Sequence, residues 1–334
     1  MNISIKDVAK KLDLSIATVS KALNGKGTVK KETSERVIRE AKRLGYTPNS
    51  RARQFAEKKT RKVMFLASLP VGAAYEKPHI FEIIMGLEDA LNKNGYSLVL
   101  ANTEKKEVVE KTEKIIQEES VDAIIFHASI LTKRLEILIS SANIPHLVVG
   151  QPDFKSTLCW IDSNNSLSGE LAVKHLLEKN YYPMAFIGGK VDDMISFHRF
   201  QGVRKALEEK GLDIADEYVY STSSTILSGM NTCKKILLLS NRPRSIICAN
   251  NLIAFGVIEE AKNQKIAIPK ELALITFDRY PFASFTEPRI TCVDVDMFEL
   301  GREAGEIILK KIANKDILIQ SFTTYPIVFE REST

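Results

Sequence analysis

The sequence predicts an all-α head followed by an α/β body of two doubly wound parallel-sheet subdomains. Apolar residues recur with helical spacing through the first 45 of the 334 positions. From Arg61 onward, short continuous apolar runs alternate instead with amphipathic helices. Charge marks the same boundary: residues 1–62 carry 17 Lys and Arg against 6 Asp and Glu, whereas the remainder carries 30 against 36. A compact basic head on a mildly acidic body is typical of a polyanion-binding module.

Helix-start signals divide the head into short helices. Ser4 and Asp7 resemble a capping box, and Ser15 is a good N-cap. These signals predict helices at residues 5–12, 16–23 and 31–44. The third helix is expected to point inward through Val37, Ile38, Ala41 and Leu44. A further short helix is expected within residues 50–59.

Two short helices joined by a tight turn form a helix-turn-helix, whose second helix enters the major groove of DNA. Lys21 on that helix can reach guanine, and Ile16 and Ala17 can contact thymine methyl groups. Hydroxyl and amide groups suited to phosphates or base edges are Ser15, Thr18, Ser20 and Asn24. The alternative is a capped packing helix with solvated hydroxyls.

The body alternates strands and helices, which predicts parallel βαβ units. Its strands are continuously apolar, as expected when both sheet faces are covered. Two lobes should join near residues 149–162, with crossovers returning around residues 282–295, and ligands should bind at strand carboxyl ends. Helices are expected at about residues 105–119, 131–141, 167–179, 200–211 and 252–264.

Several functional classes are excluded by what the sequence lacks. No apolar run is long enough to span a bilayer, and the N-terminus has no signal-peptide core, so we expect a cytoplasmic protein. The four cysteines are far apart, which favours buried free thiols over a zinc cluster. No nucleophile elbow, phosphate-binding loop or metalloprotease motif occurs. We therefore expect no enzyme, cofactor or metal.

The first 60 residues resemble the lactose/galactose repressor family of bacterial transcriptional regulators. The family-like frame is TIKDVAKxAGVSxATVSRxLNG, and this chain reads SIKDVAKKLDLSIATVSKALNG. The segment ending LGYTPNSRARQFA resembles the family's LGYxPNxxARxL. This resemblance implies a helix-turn-helix domain at residues 1–46, a hinge helix and linker at 47–60, and an effector-binding and dimerisation domain at 61–334.

The resemblance also implies specific DNA contacts. Major-groove contacts would be Ile16, Ala17, Ser20, Lys21 and Asn24. Backbone contacts would be Ser15, Thr18, Thr33, Tyr46 and Asn49, and Ile5 completes the set within the head. In the hinge, Ala52, Arg53 and Phe55 would lie at the minor groove, with Phe55 as an aromatic wedge in place of the usual Leu. A charged linker with one stray Phe is the alternative. Lys21 replaces the usual Arg, and Asp13 replaces a frequent Gly.

The body resembles the periplasmic sugar-binding fold reused as an effector domain. Three strand-end motifs, RFQG, ANNLIAFG and ITFDRY, would supply the effector contacts Arg199, Asn250 and Asp278. Tyr75 and His127 would contribute from the other lobe. Asn251 stands where the family usually has Asp, and Ser224 where many relatives have a stacking aromatic residue. Alternatively, these residues are strand-end caps, and Arg199 simply pairs with Asp278.

The resemblance therefore implies a homodimeric repressor that binds a pseudo-palindromic DNA operator. A sugar or sugar phosphate bound between the two lobes would control its operator affinity. Two alternatives remain: control by a phosphorylated protein corepressor, and, less favoured, a solute-binding protein.

Overall fold

The computed structural model describes residues 3–23, 29–46, 59–73, 78–190 and 193–334. Contacts divide the chain into two compact units, residues 1–61 and 62–334. The first is helical and the second is α/β, so the predicted fold class is confirmed. Within the described residues, no helix combines the length and apolar character that a bilayer span requires.

The head consists of helices α1 (Ile5–Leu12), α2 (Ile16–Leu23) and α3 (Lys31–Arg43). Its small core buries Val8, Val19 and Val37 completely. The Asp7 carboxylate accepts hydrogen bonds from the backbone N–H and the hydroxyl of Ser4, as the start signal predicts. All three head helices therefore form close to their predicted bounds.

The body contains two six-stranded sheets with the same strand arrangement. The first sheet defines the N-lobe, with strands β1 (Lys62–Ala67), β2 (Ser97–Asn102), β3 (Ala123–His127), β4 (His146–Val149), β5 (Trp160–Ser163) and β11 (Gln320–Thr324). The second sheet defines the C-lobe, with strands β6 (Met184–Gly188), β7 (Val219–Ser221), β8 (Ser245–Cys248), β9 (Ala273–Phe277), β10 (Thr291–Asp294) and β12 (Ile327–Phe329). The N-lobe sheet has the order β11-β5-β4-β3-β1-β2, and the C-lobe sheet has the order β12-β10-β9-β8-β6-β7. Only the pair β10–β12 is antiparallel among the described pairs.

Helices cover both faces of each sheet, which is why the central strands β3, β6, β8 and β9 are buried almost throughout. The N-lobe helices are α4 (Pro78–Lys93), α5 (Val108–Gln117), α6 (Lys133–Ser141) and α11 (Met297–Ala313). The C-lobe helices are α7 (Asn165–Glu178), α8 (Met194–Glu208), α9 (Ile226–Leu237) and α10 (Asn251–Asn263). The four cysteines are buried and free, as predicted.

The chain passes between the lobes three times. The first crossover, Ser163–Asn165, leads from β5 to α7, and the second, Asp294–Met297, leads from β10 to α11. The third lies between β11 and β12, at residues 325–326. The first pass follows β5 closely, just beyond the predicted join at 149–162, and the third was not predicted.

Two local predictions were wrong. Ile38 was expected in the head core but is 51% exposed, because α3 buries Val37 and Ala41 and Ile38 lies one position off that face. The helix expected to begin at Phe200 begins at Met194, because the Asp193 side chain caps it by accepting the Ser196 N–H at 3.2 Å. Arg199 therefore lies within α8 rather than before it.

Candidate nucleic-acid interface and ligand site

Helix α2 divides cleanly into a buried face and an exposed face. Val19 and Ala22 are buried against α1 and α3. On the outer side, Ile16 is 46% exposed, and Ala17 and Lys21 are also exposed. The head thus presents apolar and cationic groups together, a combination that can contact base edges and phosphates in a major groove.

Ser15 and Thr18 lie together at the N-terminus of α2. The Thr18 N–H donates to the Ser15 hydroxyl oxygen at 3.1 Å, so Ser15 caps the helix as its sequence position predicts. The two hydroxyl oxygens are 2.8 Å apart. A helix N-terminus favours anions, so these hydroxyls suit a phosphate contact.

The other predicted DNA contacts of the head are less exposed. Ile5 and Tyr46 are half-buried and pack against the head core, and Thr33 and Ser20 are also half-buried. Asp13 adopts the left-handed backbone conformation, with φ +52°, that the family's glycine would occupy without strain. Predicted contacts that lie outside the described residues are Asn24, Asn49, Ala52, Arg53, Phe55 and, in the body, Tyr75.

In the C-lobe, the structure brings Arg199 and Asp278 together as a buried ion pair. The Arg199 Nη2 atom lies 3.0 Å from Asp278 Oδ1, and its Nη1 atom donates to the Ala249 carbonyl at 2.7 Å. The guanidinium group also lies over the Phe277 ring, 4.4 Å from its centroid. Both side chains are almost fully buried. This geometry provides donors and an acceptor side by side at the carboxyl end of the sheet.

Asn251 fixes the backbone that carries Asp278, a role that sequence reasoning missed. Its Nδ2 donates to the Phe277 carbonyl at 3.0 Å and to the Asp278 carbonyl at 2.9 Å. Asp278 itself has φ +68°, a conformation that few non-glycine residues adopt. An amide can donate to these two carbonyl groups, whereas the Asp usual at position 251 could not. The replacement of the family's usual Asp by Asn at position 251 was therefore the signal in the sequence for this role.

The glycine of the RFQG motif serves helix packing. A Cβ on Gly202 would lie 1.8 Å from the Ser166 carbonyl oxygen, and one on Gly169 would lie 2.0 Å from the Arg199 carbonyl oxygen. Helices α7 and α8 therefore meet backbone to backbone at these two glycines. This contact fixes the position of Arg199, on α8, relative to α7.

Asn250 and His127 lie at other strand ends and have local partners. Asn250 caps α10 by accepting the Ile253 N–H, and it donates to the Ser224 hydroxyl at 2.9 Å. His127 ends β3 in the N-lobe, where its Nδ1 pairs with the Ser129 hydroxyl at 2.8 Å. Asn250 thus combines a capping role with an amide near the strand ends.

Asp162 is a half-buried acid near the end of β5 that the sequence did not single out. Burial raises the pKa of its carboxyl to about 6, although the N–H groups of Gln151 and Ser163 and the charge of Arg199 favour the ionised form. The first crossover is therefore preceded by a carboxyl group whose pKa lies at about 6, above its ordinary value.

A helix-turn-helix head and a two-lobed α/β body with polar strand ends define a class: DNA-binding regulators with a ligand-binding domain. The model of the bacterial regulatory proteins of the lacI family matches residues 4–49, and that of the periplasmic binding protein-like domain matches residues 173–334. The chain is 30% identical, over the full length of both proteins, to the HTH-type transcriptional regulator RegA of Clostridium saccharobutylicum. The chain belongs to the lacI family of bacterial transcriptional regulators.

Two solved structures show the same fold over the whole chain. The lac repressor dimer bound to operator and the anti-inducer ONPF has a TM-score of 0.79 at 18% identity, covering 100% of this chain and 99% of that one. The complex of the transcriptional regulator CelR with cellobiose has a TM-score of 0.75 at 23% identity, covering 99% and 100%.

Proposed function

We propose that this protein is a homodimeric repressor that binds a pseudo-palindromic DNA operator and releases or tightens it when a neutral, sugar-like effector binds between the lobes. Residues 1–46 form the DNA-binding domain, residues 47–60 the hinge helix and linker, and residues 61–334 the effector domain. It works in the cytoplasm and regulates without catalysing a reaction.

The observation that carries the effector proposal is the buried pair of Arg199 and Asp278. The pair is neutral as a whole, and it offers both donors and an acceptor, as a hydroxyl group requires. Asn250 and Ser224 add an amide and a hydroxyl at neighbouring strand ends. Cellobiose in the complex of the similar CelR protein supports a sugar of this kind.

The DNA proposal is supported by the outer face of α2 and by the charge of the head. Ile16, Ala17 and Lys21 are exposed together on a helix whose other face is buried. In this arrangement, Lys21 and the hydroxyls of Ser15 and Thr18 contact phosphates or bases, and Phe55 wedges into the minor groove.

The proposal of a homodimer is supported by large apolar side chains that the body leaves exposed. Leu227 on α9 is 67% exposed, Met85 on α4 is 58% exposed, and Phe285, after β9, is 82% exposed. Side chains of this size are common at subunit interfaces. Sedimentation equilibrium of the full-length protein measures this directly.

Two further experiments test the function. A gel shift of the full-length protein against a library of palindromic DNA should select one sequence, and affinity should fall by about 10³–10⁵ between 50 and 200 mM salt. In a thermal-shift panel of mono- and disaccharides, including cellobiose and lactose, and of hexose phosphates, a neutral sugar should stabilise the protein most. Absence of a selected sequence would contradict the repressor proposal, and absence of any stabilising sugar would contradict the effector class.

A further inference from the structure

Asn165 joins the two lobes at the point where the chain first crosses between them. It is the first residue of α7 in the C-lobe, two residues after the last residue of β5 in the N-lobe sheet. Its Oδ1 accepts the Nε–H of Arg199 at 3.1 Å. Its Nδ2 lies 3.4 Å from both the carbonyl oxygen and the hydroxyl of Ser163. One buried amide therefore contacts the proposed effector arginine and the end of an N-lobe strand.

Helix α7 holds Arg199 at two points. Asn165 contacts its side chain, and Gly169, one turn further along the same face, contacts its backbone carbonyl group. Asn165 and Arg199 are 4% and 2% exposed, so water does not compete freely for these bonds. A buried bond to a charged group contributes more than an exposed one.

The second crossover shows that a polar side chain is not needed for the crossing itself. Asn164 and Asp296 occupy matching positions, and each caps the helix that follows, α7 or α11. The next residue is Asn165 in the first crossover and Met297 in the second, where the Met side chain packs into the N-lobe core. The amide at position 165 therefore meets a requirement other than chain geometry.

We propose that Asn165 is the positioning residue that couples the effector site to the lobe crossover. Its oxygen orients the Arg199 side chain. Its nitrogen, bonded to Ser163, transmits a movement of Arg199 to the end of β5. A ligand that draws the Arg199 guanidinium toward itself shifts this amide, and with it the angle at which α7 leaves β5. This inference rests on the proposed function, since it places the effector at Arg199 and Asp278.

Two variants separate the two bonds. Asn165→Asp keeps an oxygen for Arg199 but has no donor for the Ser163 carbonyl group, whereas Asn165→Ala removes both bonds. Asn164→Asp is the matched control, because it makes the same chemical change one residue away and keeps the capping oxygen.

The experiment uses full-length protein, the selected operator and the sugar of the panel that stabilises the wild type most. The coupling ratio is the operator dissociation constant with that sugar divided by the constant without it. In Asn165→Asp, sugar affinity should stay within about threefold of wild type while the coupling ratio moves most of the way to one. In Asn165→Ala, sugar affinity should also fall about tenfold. Asn164→Asp should match the wild type in both.

A wild-type coupling ratio in Asn165→Asp would overturn the proposal, as would an equal loss of coupling in Asn164→Asp. Unfolding midpoints of all variants distinguish lost coupling from lost stability, since a merely structural role would lower the midpoint and leave the ratio unchanged. If the wild type binds none of the panel sugars, the effector proposal fails and this inference fails with it. Sugar binding with intact coupling in every variant would overturn this inference alone.

Discussion

The two lobes of the body repeat the same strand-end geometry but place different chemistry on it. In the N-lobe, Gly150 follows β4 with φ +95°, and its N–H donates to the Ile161 carbonyl on β5 at 2.8 Å. In the C-lobe, Asp278 follows β9 with φ +68°, and its N–H donates to the Val293 carbonyl on β10 at 2.9 Å. The backbone is equivalent, but the C-lobe position carries a carboxylate where the N-lobe has no side chain.

The next residue in each lobe continues the repeat. The Gln151 N–H donates to Asp162, and the Arg279 N–H donates to Asp294, at 2.9 and 2.8 Å. The lobes therefore share a scaffold, and the C-lobe alone of the two adds the Arg199–Asp278 pair to it. The same backbone arrangement therefore carries a glycine at one strand end and a charged group of the proposed effector site at the other.

The largest expected effect comes from breaking that charged pair. Arg199→Met should lower the free energy of unfolding by about 3–5 kcal/mol, because Asp278 would remain buried without its partner. Urea denaturation of the full-length protein measures the change. Lys205→Met removes an exposed partner of Glu170 and is the control, with a much smaller expected change. Equal changes in the two variants would contradict the prediction that the buried ion pair contributes more to the free energy of unfolding than an exposed one.

The Asp162 carboxyl group, at the first crossover, should destabilise the folded protein when it is ionised. Its pKa of about 6 in the fold exceeds the ordinary 3.8, so the folded protein binds the proton more tightly than the unfolded chain does. The contribution of Asp162 to the free energy of unfolding therefore falls by roughly 3 kcal/mol as the pH rises from about 4 to about 6. Above pH 6 this loss of stability stays constant.

Asp162→Asn removes this titration. Across pH 4–6, the free energy of unfolding of the wild type should fall relative to that of the variant as the pH rises. Asp213→Asn, at an exposed acid, is the control for the removal of one carboxylate from the chain. A difference independent of pH would show that Asp162 keeps an ordinary pKa in the fold.

Each lobe has a glycine at a close contact between two helices, Gly86 in the N-lobe and Gly169 in the C-lobe. A Cβ at Gly86 would lie 2.0 Å from the Phe298 carbonyl oxygen, just as one at Gly169 would lie 2.0 Å from that of Arg199. Substitution of either by Ala should cost about 1–3 kcal/mol through forced separation of the helices. Only Gly169→Ala moves Arg199, so it alone should weaken sugar binding in isothermal titration. Equal sugar affinity in both variants would contradict the claim that the C-lobe helix contact, and not the N-lobe one, positions the sugar site.

The smallest expected effect lies in the head and leaves both lobes unchanged. Asp13→Gly relieves the left-handed conformation at φ +52° and should stabilise the head by roughly 0.5 kcal/mol. Slower amide hydrogen exchange in α1 and α2 of the full-length protein would show this. Faster exchange would mean that the backbone entropy of glycine outweighs the strain of aspartate.

The order of the elements could be predicted from the sequence because it depends on local patterns. Ser4, Asp7 and Ser15 mark helix starts through bonds to neighbours within three residues. The start of α8 was missed although Asp193 caps the helix and Met194 and Ile195 follow it, because these apolar residues lie off the face that α8 buries. Ile38 was misplaced because its neighbours Val37 and Ala41 already fill the inner face of α3.

The sequence by itself determined the basic helical head and the alternating body, since charge and periodicity are local properties. Arg199 and Asp278 were singled out by the resemblance of their motifs to those of the family. Only the tertiary structure decided that these two side chains pair, because residues 79 positions apart meet only when β9 and α8 pack in one lobe. It also decided the roles of Asn251, Asp162 and Asn165. Each acts through bonds to groups whose proximity, or whose burial, depends on how the strands and helices assemble.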